Sequence, residues 1–313
     1  MKIAIIGGAG FIGSYIAEHL ARDGHSLDIA TRNRERHREA FLHLPTVELV
    51  ECNVHDPQQL RALLVGHDAV ISMVGILHGS RTAFERAHVT LVGNIVAACQ
   101  QLGIRRLLHI SALGAAENAP SDYQQTKGKG EALVRASGLD YTILRPSVVF
   151  GAGDSFLTMF ATLAATAPLL PLGGADTRFS PVWVDDVARA MAACLRKPAT
   201  IGQTLDLTGP GTYTLRQLVA YAATLSGHPR TIIGLPESLA MLQATLMECL
   251  PGPTLLSRDN VRSLRVDNTS SQPFPSDLLG FAPAALQSVA PLYLGNAGFK
   301  RQLDGYRAKA ARR

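Results

Sequence analysis

The stretch Lys2-Ile3-Ala4-Ile5-Ile6-Gly7-Gly8-Ala9-Gly10-Phe11-Ile12-Gly13 decides the fold. A short apolar strand runs into three spaced glycines and then into Ile12, Ile16, Ala17 and Leu20, whose spacing predicts an amphipathic helix. Gly7 and Gly10 let the backbone turn tightly and approach a diphosphate with no Cβ in the way, while Gly13 lets the helix lie close to the strand. The amides of Phe11 and Ile12, at the start of the helix, are free to donate to phosphate oxygens. The spacing reads as G-x-x-G-x-x-G from Gly7 and as G-x-G-x-x-G from Gly8. A glycine pattern alone is weak evidence, but one that follows a strand and opens a helix predicts a dinucleotide-binding turn.

Working outward, the same alternation continues. Ser26 to Thr31 reads as a second strand, Arg34 starts a charged helix, and Val47 to Cys52 reads as a third strand. Pro57 suits the first turn of another helix, Ala69 to Ser72 reads as a buried parallel strand, and Ala83 to Gln101 as one long helix stopped by Gly103. Arg106 to Ile110 is the fifth strand, Asp122 to Ser137 a helix, and Tyr141 to Leu144 the sixth strand. This order predicts an α/β doubly wound parallel sheet, an NAD(P)-binding Rossmann domain over residues 1–150. Beyond Pro146 the rhythm loosens, which predicts a smaller α/β lobe for substrate or partner over 151–299 and a basic tail over 300–313. Helices are expected at Leu157 to Ala167, Val187 to Leu195 and Leu215 to Leu225, with a strand at Thr204 to Leu207. Trp183-Val184-Asp185-Asp186 reads as a strand end that caps the next helix. The apolar run from Pro236 to Leu250 reads first as packed core, with a groove for a partner or a membrane surface as the alternative.

The apolar share of 47% and charged share of 18% are those of an ordinary globular protein. Cys52, Cys99, Cys194 and Cys249 are scattered in apolar or helical contexts, which predicts small buried thiols and neither a disulfide framework nor a metal site. No apolar stretch reaches the roughly 18 residues of a membrane span. The expected location is cytoplasmic, with peripheral contact at the inner membrane open through the tail. That tail holds Lys300, Arg301, Arg307, Lys309, Arg312 and Arg313 against Asp304, so the net +5 falls on it and 24 residues of each sign remain elsewhere. A basic groove with aromatic platforms is not visible, which argues against a nucleic-acid partner.

An NAD-selecting strand ends in Asp or Glu for the ribose hydroxyls. Here Thr31 stands at that place and Arg32 follows, with Arg34, Arg36 and Arg38 behind. A guanidinium matches a 2′-phosphate in charge and geometry, so NADP(H) is expected over NAD(H), although pairing of these arginines with Glu35 and Glu39 is the plain alternative. Asn53 and Val54 are expected beside the adenine, and Val74 and Gly75 beside the nicotinamide ribose. Tyr123-Gln124-Gln125-Thr126-Lys127 forms Y-x-x-x-K, which puts Tyr123 and Lys127 on one helical face. The lysine is expected to lower the tyrosine pKa toward neutrality and make it a general acid or base, and also to hold the ribose hydroxyls. Ser111, at the end of the fifth strand, is expected to hydrogen-bond a substrate carbonyl.

With the glycine turn, Ser111, Tyr123, Lys127 and the block Arg145-Pro146-Ser147-Val148-Val149-Phe150-Gly151 in order, the chain resembles the short-chain dehydrogenase/reductase superfamily in its extended or atypical branch. Pro146 joins the cofactor-binding set on that resemblance. The second half is most similar to the nucleotide-binding accessory subunit of respiratory complex I and its bacterial relatives. The segments that carry this are Leu113-Gly114-Ala115, Gly153-Asp154-Ser155-Phe156, Pro181-Val182-Trp183-Val184-Asp185-Asp186-Val187, Leu250-Pro251-Gly252-Pro253 and Ser257-Arg258-Asp259-Asn260. The resemblance implies a tightly held NADPH of structural use, with a respiratory or quinone-pathway partner. Many extended members carry Asn on the helix after strand four, where this chain offers His88 and then Asn94, and a packed or solvated histidine is the plain reading of His88. Against that function stands a free-standing NADPH-dependent reductase, or a nucleotide-sugar epimerase or dehydratase. Phe150, Phe156, Met159, Phe160, Leu169 and Leu170 suggest an apolar lining and hence a small apolar substrate.

Overall fold

The computed structural model describes residues 1–250, 252 and 254–295. The basic tail, and Pro251 and Pro253 of the Leu250-Pro251-Gly252-Pro253 block, lie outside the described residues. Six strands, β1 (Lys2–Ile6), β2 (Ser26–Thr31), β3 (Val47–Glu51), β4 (Ala69–Ser72), β5 (Arg106–Ile110) and β6 (Asp140–Pro146), form a parallel sheet with a seventh, Gln203–Leu207. From one edge the order is Gln203–Leu207, β6, β5, β4, β1, β2, β3. The winding reverses between β1 and β4, which opens a crevice at the carboxyl ends of the strands, where ligands of such sheets bind.

Both faces are covered, as near-continuous apolar strands require. On one side α1 (Phe11–Arg22) and the helix Val184–Arg196 bury Ile16, Leu20, Val187 and Met191 against Ile3, Ile5 and Ile29. On the other, α3 (Pro57–Leu64) and α5 (Leu91–Leu102) bury Leu60, Leu64, Ile95 and Cys99 against Ala4, Ile6 and Val70. Between β2 and β3 lies α2 (Arg34–Phe41), started by Asn33, whose side chain accepts from the Arg36 amide. Asp56 caps α3 through the amides of Gln58 and Gln59, with Pro57 in the first turn, where it loses no hydrogen bond.

The long helix expected over 83–101 is broken. A short α4 (Arg81–Glu85) passes through a π-turn, Arg86–Thr90, before α5 begins. Hydrophobic periodicity cannot register one extra residue in a turn. The helix after Trp183 begins at Val184 without a side-chain cap, and Asp185 and Asp186 sit inside its first turn, where carboxylates favour the positive end of the dipole.

The second lobe has its own core, in which Phe150, Phe160 and Leu170 are buried with Leu218 and Val219, while Phe156 and Met159 pack against them. Phe150, Phe160 and Leu170 therefore belong to the core of the lobe, Phe156 and Met159 keep part of their surface open, and Leu169 faces outward. The helix Glu237–Glu248 corrects a second expectation. It buries only Ala240 and Ala244, and Leu239, Leu242, Leu246 and Leu250 are half exposed or more. Cys52, Cys99 and Cys194 are buried thiols, whereas Cys249 is exposed. No helix among the described residues is long and apolar enough to cross a membrane, and no cluster of metal-ligating side chains occurs among them.

Candidate dinucleotide and active site

The three spaced glycines have three different surroundings. Gly7 has φ +91°, and a Cβ there would lie 2.8 Å from the Val74 amide nitrogen, so the turn is locked against the segment leaving β4. A Cβ on Gly13 would stand 2.1 Å from the Gly8 carbonyl oxygen, which is how α1 closes onto the turn. Around Gly10 no heavy atom lies within 4 Å of such a Cβ, so this side of the turn is open space. Gly10 is also the N-cap of α1, with no side-chain cap and no acidic residue in the first turn. The first amides of the helix, at Phe11 and Ile12, therefore face that space with neither a competing acceptor nor a repelling charge. A cradle of this shape fits a diphosphate.

Along the crevice, Thr31 is buried and its hydroxyl is occupied with the Asn33 backbone at 3.2 Å. Arg32 is exposed and makes no ion pair among the described residues; Arg38 pairs with Glu35 at 3.6 Å. Asn53 is exposed and its Oδ1 accepts from the His55 amide, while Val54 and Val74 each pack partly against the core on that face of the sheet. Burial, then Arg86 and Arg32, hold the His55 pKa below its usual value, so two guanidinium groups converge on the loop after β3. Arg86 was not singled out from sequence, because it reaches this loop from the π-turn.

The Y-x-x-x-K pair lies on α6 (Asp122–Arg135). Lys127 is 3% exposed and its ammonium donates to the carbonyls of Ile110 at 3.1 Å and Val74 at 3.4 Å. Burial lowers its pKa to about 8. A Cβ on exposed Gly75 would lie 3.4 Å from that ammonium nitrogen, so Lys127, Val74 and Gly75 meet at one place. Three donors and two carbonyls leave the ammonium at least one proton for a ribose hydroxyl. Ser111 is buried, and its Oγ has no hydrogen-bond partner among the described residues. A buried orphan hydroxyl is costly unless a ligand completes it. Pro146 closes β6, and its carbonyl accepts from the Leu113 amide at 3.0 Å.

Tyr123 departs from expectation. Its pKa is pushed up to about 12 by burial, and Lys127 does not bring it down. At neutral pH the phenol is fully protonated, which makes it an acid rather than a base. The ring stands edge-on to His88, with centroids 5.5 Å apart, and to Phe84 at 6.2 Å.

His88 is packed, not solvated. Its Nε2 accepts from the Ile76 amide at 3.2 Å, so Nδ1 carries the proton and donates to Thr126 Oγ1 at 2.9 Å. Burial, with Lys127 nearby, lowers its pKa to about 3, so it stays neutral and ties the loop after β4 to α6. The π-turn pushes the His88 carbonyl toward α6, and only glycine fits opposite, since a Cβ on Gly130 would lie 2.3 Å from that oxygen. This approach was not singled out from sequence; the run Gly128-Lys129-Gly130 inside a helix is the signal that could have found it. Glu131, wholly buried, accepts from Arg145 Nε at 2.7 Å and Nη2 at 2.5 Å, which holds α6 against β6.

A family profile described as NAD(P)H-binding matches residues 7–198. The chain belongs to that family. It is 28% identical over 290 residues to NADH dehydrogenase [ubiquinone] 1 alpha subcomplex subunit 9, mitochondrial, of Rattus norvegicus, a match that covers 90% of this chain and 77% of the relative. It is 27% identical over 313 residues to the ceramide reductase of Caulobacter vibrioides, covering 98% and 94%. These relatives bear out the resemblance to the short-chain dehydrogenase/reductase superfamily and to the complex I subunit. Among solved structures, UDP-glucuronic acid 4-epimerase from Bacillus cereus, in complex with UDP-glucuronic acid and NAD, is 18% identical with a TM-score of 0.73, covering 95% of this chain and all of that one. That likeness concerns the fold.

Proposed function

We propose that this NAD(P)H-binding protein is an NADP(H)-dependent reductase that acts on an apolar carbonyl compound. The observation that carries the reading is the buried Ser111 hydroxyl, without a partner among the described residues, one position after the Ile110 carbonyl that Lys127 holds; α6 carries a protonated Tyr123 on the same helix as that lysine. The glycine turn and the amides of Phe11 and Ile12 would hold the diphosphate. Asn53 and Val54 would flank the adenine, Arg32 would meet the 2′-phosphate with Arg86 beside it, and Val74, Gly75, Lys127 and Pro146 would line the nicotinamide end. The reduced nicotinamide supplies hydride when bound. Ser111 donates to the carbonyl oxygen and orients it; Tyr123 then delivers its phenolic proton to that oxygen as negative charge develops there. A phenol held protonated suits reduction, in which the protein must give a proton. Apolar substrate chemistry is favoured by Leu77 and Leu255, each about half exposed in the segments joined by a hydrogen bond from Asn260 to the Leu77 carbonyl, and by the ceramide reductase relative.

A second reading, a structural NADPH module of a respiratory or quinone-linked assembly in peripheral contact with the inner membrane, is favoured by the subunit 9 relative and by the exposed leucines of Glu237–Glu248. Tyr123→Phe separates the two. On the reductase reading it abolishes carbonyl-dependent NADPH oxidation and leaves NADPH affinity, followed by nucleotide fluorescence, within about threefold, because the phenol acts on the substrate and not on the cofactor. Unchanged oxidation in the variant refutes the role of the tyrosine, and absence of oxidation in the unaltered protein favours the structural module.

A further inference from the structure

The first turn of α6 is satisfied from outside its own domain. Ser121, the N-cap, accepts from the Gln124 amide at 3.2 Å, which leaves the Asp122 and Tyr123 amides. Both are taken by one carboxylate of the second lobe: Asp259 Oδ1 accepts from the Asp122 amide at 2.7 Å, and Oδ2 from the Tyr123 amide at 3.1 Å. Asp259 is buried and forms no salt bridge among the described residues, so the charge is stabilised by these amides and by the positive end of the helix. Its own element is fixed on three sides. Ser257 and Asn260 form a reciprocal capping box, Asn260 Nδ2 donates to the Leu77 carbonyl at 3.3 Å, and Arg258 is held by Glu248 through its amide and Nε, both at 2.8 Å.

Tyr123 sits in that first turn, and no hydrogen bond holds its phenol among the described residues. Its bearing is set by the backbone beneath it and by the rings of His88 and Phe84. Lys127 lies a full turn deeper, held by carbonyls of the sheet. We propose that Asp259 is a positioning residue for Tyr123: by capping the start of α6 from the second lobe, it fixes where the phenol meets the substrate while leaving the cofactor contacts of Lys127 independent. The inference rests on the reductase reading for its kinetic consequence but not for its structural one.

The test compares the full-length protein with Asp259→Ala, Asp259→Asn and Tyr123→Phe. Probes are NADPH and 9,10-phenanthrenequinone, an apolar dicarbonyl. Amide exchange is followed at Asp122 and Tyr123, and the Tyr123 ring carbon by NMR, assigned through Tyr123→Phe. The expected result for Asp259→Ala is exchange at these two amides at least tenfold faster, a shifted ring signal, a kcat lowered at least tenfold with KM within threefold, and an NADPH Kd within threefold. Asp259→Asn keeps one acceptor oxygen and the same shape, so it must fall between; it carries the comparison if the alanine variant does not fold. Unchanged exchange and ring signal in either folded variant overturn the inference, as does a loss of NADPH affinity matching the loss of kcat. If the unaltered protein does not consume NADPH, the reductase reading falls, and exchange with the ring signal still decides the role of Asp259.

Discussion

Replacing Lys127 by methionine should make the ligand-free protein more stable and less able to hold its cofactor. Burial lowers the lysine pKa from 10.5 to about 8. At 1.36 kcal/mol per tenfold change this is a penalty of about 3 kcal/mol for the ammonium below pH 8. Methionine removes the charge at similar volume but deprives the Ile110 and Val74 carbonyls of a donor, which returns about 1 kcal/mol. The net gain at pH 7 is then about 2 kcal/mol, or about 4 °C in Tm for a chain of this size. The sign follows from proton binding. Between about pH 8 and 10.5 the unfolded lysine holds its proton and the folded one does not, so the stability of the unaltered protein rises with pH through that window and the advantage of the variant shrinks. Urea unfolding of both proteins from pH 7 to 10 measures the difference, and NADPH fluorescence measures the weaker binding. A variant less stable than the unaltered protein at pH 7, or a difference that does not narrow with pH, would refute the reasoning.

Arg32→Ala should weaken NADPH binding by about tenfold, the loss of one charge-assisted contact of 1.5–3 kcal/mol or slightly less at an exposed site, and leave NADH affinity unchanged; competition titration with the two nucleotides checks it, and equal effects on both would place Arg32 elsewhere. For His88, whose folded pKa of about 3 lies below the unfolded 6.5, the unfolded chain binds more protons between those values, so its burial contributes a loss of stability as pH falls below 6.5. His88→Asn should flatten that slope in urea melts, incompletely because buried His109 is lowered to about 3 as well, and a slope equal to that of the unaltered protein would count against a neutral, buried His88.

Local grammar carried much of this fold. Strand, turn and helix over 2–22 follow from neighbours a few residues apart, and the alternation through β6 repeats that logic. What sequence did not carry is nonlocal. The seventh strand joins the sheet across some sixty residues, and the pairing of Gln203 with Thr142 has no signature in either segment. Asp259 meets Tyr123 across 136 positions. The run 236–250 admitted two readings, and the packed-core one failed, because periodicity reports an apolar stripe without saying whether anything lies against it. Tyr123 was misjudged for a related reason: spacing announces a lysine one turn away, but desolvation depends on everything that surrounds the ring.

The unlike surroundings of Gly10 and Gly13 separate two kinds of selection along a single turn. A methyl group at Gly13 collides with the chain itself, so drift at that position is forbidden in every descendant that still folds. At Gly10 it meets nothing, and a lineage released from nucleotide binding could accumulate alanine or serine there without losing its architecture. Retention of the tenth residue, not the thirteenth, is therefore the mark by which a homologue still bound to its coenzyme can be told from one that has kept only the scaffold.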